Sequence, residues 1–199
     1  ERAKAVSREI GEQLQTLTRL QSEENRLTAR QASLLPWQAM DMPLELSGTE
    51  HVLFRPGVMP AGVDVGQIQV SFGDLAAELL EISSDKQQKY CLLICHRQDE
   101  EAVMECLRPF SFSAVSFQSL AGTADANLTS VSQALAENRK GQEDAAAAIA
   151  ANGEARDALR VYADRLAAEA AEETSAQRLL AGGTITFFEG WAPVPSMPK

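Results

Sequence analysis

Lys89-Tyr-Cys-Leu-Leu-Ile-Cys-His-Arg97 is the stretch that sets the fold class. Six consecutive apolar residues, Tyr90 to Cys95, lie between polar ends. The run is too short for a helix of its own and reads as a strand buried on both faces. Its neighbours keep the strand period. Ala76 to Ser83 is a second β-prone run, and Asp85-Lys-Gln-Gln-Lys89 between the two reads as a polar hairpin loop. Downstream, Gln98 to Arg108 (QDEEAVMECLR) reads as an amphipathic helix with Val103, Met104 and Leu107 on its apolar face. Asp99, Glu100 and Glu101 occupy its first turn, where the helix dipole favours negative charge.

Pro109 breaks that helix, and Phe112 to Phe117 supplies a last strand. Upstream, His51 to Arg55 is a short first strand. Residues 58–75, with Pro60, Gly62, Gly66 and Gly73, are poorly patterned and occupy the place of a crossover helix. Strand, crossover, hairpin, helix, strand is the ferredoxin-like βαββαβ order.

Helical arms flank this middle segment. Residues 1–35 contain no Pro, and Val6, Ile10, Leu14, Leu17, Leu20, Leu27 and Leu34 step by three, four or seven. Such a narrow stripe suits a coiled-coil seam, and it stops at Pro36. Residues 125–181 read as a longer, Ala-rich helix, with Leu128, Val131, Leu135, Ile149, Leu159, Tyr162, Leu166 and Leu180 near heptad spacing. Gln142, Asn152 and Glu173 interrupt that seam, Thr123 or Asp125 can cap its start, and Gly182-Gly183 can end it. Gly141 and Gly153 are candidate points of bending. The expected division is therefore a first coiled-coil helix over 1–35, a distal α/β lobe over 36–122, a second coiled-coil helix over 123–182, and a strand with a Pro-rich tail over 183–199. An antiparallel pair joined through the lobe sets Leu34 beside Leu128 and residue 1 near residue 160, leaving about 160–181 without a partner helix.

Composition narrows the function. The 199 residues carry 18 Lys and Arg against 28 Asp and Glu, a net charge of −10. Residues 36–122 alone hold 5 basic and 12 acidic side chains, a net −7. An anionic surface argues against nucleic-acid binding. No apolar run approaches the length of a membrane span. Glu1 opens the chain with no apolar leader, so we expect no signal peptide and a piece of something longer. Cys91, Cys95 and Cys106 are an odd count without a CxxC spacing, and Cys91 and Cys95 share one strand face, so free thiols are expected. His51 and His96 are too few to complete a metal site. No phosphate loop, GxGxxG, HExxH or nucleophile triad is present. No catalytic, metal or cofactor-binding residue is therefore assigned. Thr184 to Phe188 reads as a strand before Pro193, Pro195 and Pro198, and Ile185, Phe187, Phe188 and Trp191 form an apolar strip.

Four stretches carry a family resemblance. Leu34-Leu-Pro-Trp-Gln-Ala-Met-Asp-Met-Pro-Leu-Glu45 resembles the "L-x-P-W-x-x-L-D-[LM]-P-L-E" passage at the tip of the cytosolic coiled coil in subunit I (subunit a) of V-type and A-type rotary ATPases. Lys89 to Cys95 is similar to that family's central strand, and the stretch ending in Leu120-Ala-Gly-Thr123 to the passage leading into its second long helix. Thr184-Ile-Thr-Phe-Phe-Glu-Gly-Trp-Ala-Pro193 resembles its "T-x-x-T-F-x-x-G-W-V-P" strand, with Ala192 where the family usually has Val.

The resemblance implies an α+β fold: a long antiparallel two-helix coiled coil with a ferredoxin-like lobe at its tip, plus the first strand of a second lobe. It implies a non-catalytic stator segment on the cytoplasmic side of the membrane, without a cofactor. Its partners would be the heterodimeric peripheral-stalk subunits and the rest of its own chain, a membrane domain and a proximal lobe. It implies no nucleic-acid partner and no direct membrane insertion of this segment. The residues we expect at the stalk are Asp85, Lys86 and Lys89 of the hairpin and Glu100, Glu101 and Glu105 of the following helix. Two other classes give a similar layout. A hinge between coiled-coil arms of a chromosome-organising ATPase would need a basic lobe. A ferredoxin-like module sensing a small ligand would leave the long helices unexplained.

Overall fold

The computed structural model describes residues 2–117, 120–177, 180–182 and 185–187. It divides into two compact units, Thr18–Glu143 and Glu1–Leu17 with Asp144–Lys199.

In the unit 18–143, four strands form one antiparallel sheet: β1 (Val52–Pro60), β2 (Ala77–Ser84), β3 (Gln88–His96) and β4 (Ser113–Ala114), in the order β2-β3-β1-β4. The crossover α2 (Val65–Ser71) joins β1 to β2, and α3 (Glu100–Leu107) joins β3 to β4. This is the ferredoxin-like arrangement expected from the order of elements.

Residue parity in β3 sorts two cores. Cys91, Leu93 and Cys95 face the helices, with Leu53 and Met59 of β1, Ile68 of α2, and Val103 and Leu107 of α3. Tyr90, Leu92 and Ile94 face the other way, toward Leu34, Trp37, Met40 and Leu44. Both faces of β3 thus meet apolar cover, complete at Leu92 and partial at Tyr90 and Ile94, which is why its sequence is a continuous apolar run rather than an alternating one. Each such side chain, fully buried, contributes about 1.5–3 kcal/mol.

Several boundaries differ from the sequence expectation. β1 does not stop at Arg55 but runs through Pro56 to Pro60. Phe54 N–H points to the outer side of β1, donating to Ser47 O at 3.0 Å. Pro56 has the same parity, so its missing donor falls on that side, where only its carbonyl is used, by Val115 N–H at 2.8 Å. The crossover does contain a helix. Asp64 caps it, its side chain accepting Gly66 N–H at 2.9 Å, and Ile68 is the buried anchor. The last strand shrinks to Ser113–Ala114 because Ser111, at φ 57°, turns the chain sharply just before it. Phe112 lies over Gly57 so closely that a Cβ there would sit 2.2 Å from its ring.

The second long helix is interrupted. α4 spans Ala124–Ala151, a 3₁₀ turn follows at Gly153–Ala155, and α5 spans Arg156–Gln177. The break falls at Asn152-Gly153, as one of the two candidate glycines allowed, and Asn152 Nδ2 donates to Ala148 O at 3.1 Å there. Gly141 lies inside unbroken helix and is no bend. Its missing side chain makes room for Leu20, whose Cδ1 would sit 3.3 Å from a Cβ at that position. The helix also ends earlier than expected: Leu180–Gly182 is a strand, β5, paired antiparallel with β6 (Ile185–Phe187). Gly183, Phe188 and Trp191 lie outside the described residues. In the unit built from 1–17 and 144–199, Ile10, Ile149 and Leu159 line a groove of about 430 Å³. On α5, Val161 is 70% and Leu166 45% exposed.

Candidate functional site

The elbow between α1 (Arg2–Leu34) and β1 joins helix to sheet in the unit 18–143. Pro36 starts a 3₁₀ turn over Leu35–Trp37, where its fixed φ and missing N–H cost nothing. The turn drives Trp37 into the sheet at 2% exposure. Its ring meets Tyr90 edge-on at 5.5 Å and Phe117 at 5.3 Å, an aromatic geometry that adds to burial. Ser83 Oγ donates to Pro36 O at 2.6 Å, fixing the turn to β2. Leu44 N–H donates to Gly122 O at 2.9 Å, and Gly122 N–H donates to the Glu45 carboxylate at 2.8 Å. Gln38 Nε2 reaches Asp125 Oδ1 at 3.0 Å. Gly122 holds φ +78°, a conformation open to glycine. Thr123 then caps α4, its hydroxyl accepting Ala126 N–H at 3.2 Å. The elbow therefore welds the end of one helix, the start of the next and one sheet face into a single body.

Below the elbow the two helices pair antiparallel. Leu34 meets Ala124 and Leu128, and Leu27 meets Val131 and Leu135. At the next contact the seam turns polar. Asn138, 7% exposed, donates to Leu20 O at 3.1 Å. Its own carbonyl accepts Gln142 Nε2 at 2.7 Å, and Gln142 also donates to Glu24 at 2.8 Å. Arg139 adds an ion pair to Glu24 at 3.1 Å. The bonds from Gln142 and Arg139 hold the Glu24 carboxyl below its ordinary pKa. A satisfied polar cluster at a seam position specifies register.

The six residues expected at a partner fall into two groups, the hairpin and α3. Asp85 closes the hairpin, accepting Gln87 N–H at 2.7 Å and Gln88 N–H at 2.8 Å. Lys89 is in β3 rather than in the loop and pairs with Glu81 at 3.0 Å. Glu100 pairs with Arg55 at 2.5 Å and Glu105 with Arg108 at 2.7 Å. Lys86 and Glu101 are exposed, with no ion pair among the described residues. The hairpin stands before the first residue of β3 and Glu100 after its last, so the arrangement forms no single patch.

Sequence reasoning missed a half-covered area on the elbow-side face of the sheet. Trp37 and its neighbours cover the rows next to the hairpin. Two further rows, Ala76–His96–Val52 and Glu78–Ile94–Phe54, lie farther along the strands. Val52, Ile94, Phe54 and His96 are only half-buried and Leu80 is 37% exposed. A cleft of about 350 Å³ opens over Val52, Glu78, Ile94 and His96, and another of about 340 Å³ over Leu44, Leu46, Phe54 and Val115. His96 Nδ1 accepts Gln98 N–H at 3.3 Å, and its ring stacks on His51 at 6.2 Å. The signal for this area was the partly polar alternation of β2, Glu78-Leu79-Leu80-Glu81.

Among the described residues no group of three His, Cys, Asp or Glu side chains is placed to hold a metal ion. No described helix is long and apolar enough to cross a membrane. No protein-family model matches the sequence, and no curated protein does. The fold, however, is similar to a crystal structure of the cytoplasmic N-terminal domain of subunit I, homolog of subunit a, of V-ATPase. The TM-score is 0.53 at 14% identity, over 84% of this chain and 69% of that one. With its long N-terminal helix and four-stranded antiparallel sheet, this chain has the mixed helix-and-sheet fold of that domain.

Proposed function

We propose that the chain is a non-catalytic stator segment of a rotary proton- or sodium-translocating ATPase. It would lie on the cytoplasmic side of the membrane, link the membrane sector to the heterodimeric peripheral stalks, and resist rotor torque. The observation that carries this is the elbow. The passage whose sequence resembles the tip of the family's coiled coil, Leu34–Glu45, is the one that bonds both helices to the sheet through Trp37, Leu44 and Glu45. A stator works by stiffness. A helix pair pinned in register at Asn138 and fused to a lobe at its end transmits torque without slipping. The similarity of fold to the V-ATPase subunit I domain supports the same reading at the level of architecture.

The stalk subunits are the proposed partners, held at the distal lobe. Lys86 at the hairpin tip and Glu101 on α3 are the two of the six expected residues that are exposed and carry no described ion pair. A net −7 over residues 36–122 gives orientation and salt sensitivity more than affinity. The test is binding of the 199-residue chain to a purified heterodimeric coiled-coil stalk at rising ionic strength. Binding that weakens as salt rises is the expected result. A folded chain that binds no such stalk even at low salt overturns the proposal.

A further inference from the structure

The half-covered rows of the sheet point to a second layer that comes from another molecule. The helix-side face of this sheet carries α2 and α3, whereas the opposite face is only partly covered away from the hairpin, where Phe54 and Ile94 pack half-buried against the elbow core. Paired strand residues share a face, so Glu78, Ile94 and Phe54 form one row across β2, β3 and β1. Leu80 stands beside that row at 37% exposure, and Leu46 flanks its far end at 38%. Of the two clefts, about 350 and 340 Å³, one is lined by Ile94 and the other by Phe54, its cross-strand partner. An apolar strip crossing three strands has the width that one helix covers, since strands lie about 4.8 Å apart and a helix is about 10 Å across.

Charge selects the occupant. The clefts flanking the strip are lined by the acidic Glu78 and Glu45, with Arg55, already paired to Glu100, as the cation among their lining residues, in a segment of net charge −7. A second copy of this chain would bring an equally acidic surface and be repelled. We infer that the shelf over Leu80, Ile94, Phe54 and Leu46 is a docking site for a basic amphipathic helix of a partner protein, its apolar stripe on the sheet and its Lys or Arg side chains toward Glu78 and Glu45. The inference rests on the stator proposal only for the choice of this lobe as the gripping end. It replaces the hairpin and α3 as the main contact.

The test uses the 199-residue chain and a Leu/Lys amphipathic peptide of about 18 residues, with a Leu/Glu peptide of the same pattern as control. Methyl NMR should show the Leu/Lys peptide shifting Val52, Leu80 and Ile94, and the Leu/Glu peptide shifting nothing. Leu80→Asp and Glu78→Lys should each weaken binding by about tenfold, whereas Val70→Asp, at the 82%-exposed position on α2, should leave it unchanged. Glu78→Lys changes an exposed side chain, so it keeps the test meaningful if Leu80→Asp unfolds the strand. Shifts centred on the hairpin or α3 overturn the inference. So does concentration-dependent dimerisation that Leu80→Asp abolishes, which makes a second copy the occupant. So does Trp191→Ser moving the Leu80 and Ile94 methyls with no peptide present, which makes the chain's own last stretch the occupant. A stalk heterodimer that binds wild type and both shelf variants equally overturns the shelf while leaving the stator role standing. A stalk that binds none of them, beside a peptide that maps to the shelf, does the reverse.

Discussion

The Glu45 carboxylate accepts the backbone N–H of Gly122 at 2.8 Å, across 77 residues of chain. With the Leu44 N–H bond to Gly122 O at 2.9 Å, it ties the segment leaving α1 to the segment that becomes α4. The lobe is thereby held by a closed loop of contacts, with Trp37 as its apolar centre.

Trp37→Ala should cost about 3–5 kcal/mol, the range for emptying a fully buried aromatic site. Glu45→Ala should cost about 1 kcal/mol, since a single exposed hydrogen bond is lost. Urea unfolding followed by circular dichroism measures both. Equal costs would mean that the elbow is not centred on Trp37.

Asn138→Leu separates register from stability. Replacing a polar seam residue by an apolar one should leave the melting temperature equal or higher, because burying the amide is itself costly. The register should loosen. Disulfide formation between Leu27→Cys and Leu135→Cys, adjacent in the seam, should become slower and less exclusive. An unchanged cross-linking pattern would show that Leu27, Val131 and Leu135 alone fix the alignment.

Acid should open the hairpin end. Backbone N–H groups of Gln87 and Gln88 hold the Asp85 carboxyl below its ordinary pKa, and Lys89 does the same for Glu81. A carboxyl lowered in the folded state contributes stability above its unfolded pKa, and the contribution is lost as pH falls through the folded value. The protection of the Gln87 and Gln88 amides, exchange measured against the intrinsic rate at each pH, should therefore be constant down to about pH 4 and fall below it. Asp85→Ala should remove that dependence. Protection that stays constant through acid pH would contradict the assignment.

Burial pushes the Cys91 thiol up to about 11 and raises Cys95 as well. Only the thiolate reacts. At pH 8 a disulfide reagent should label the half-buried Cys106 first, with Cys91 and Cys95 waiting for unfolding. Equal labelling of all three in the native chain would mean that the helix-side core is open.

A continuous apolar run made β3 legible in the sequence, and helical periodicity made α1 and α3 so. The rest depended on long-range partners. Pro56 and Gly57 read as the end of a strand, yet Pro56 sits where no donor is needed and Gly57 where Phe112 covers it. Gly141 read as a bend because the Leu20 side chain that needs its space lies 121 residues earlier. The expected partner residues follow from their place on a polar hairpin loop and the outer face of a helix. Asp85, Lys89, Glu100 and Glu105 turned out to be engaged at home. The half-covered shelf depended on which half of the sheet the elbow covers, which no local pattern encodes.

Photo-crosslinking in an assembled rotary ATPase tests the central claim most directly. A photoreactive group at position 80 of this chain, in the intact solubilised complex, should join it to a peripheral-stalk subunit, with the same product whether or not the rotor has turned over ATP. Cross-links to rotor subunits, or a pattern that changes with turnover, would contradict a stator.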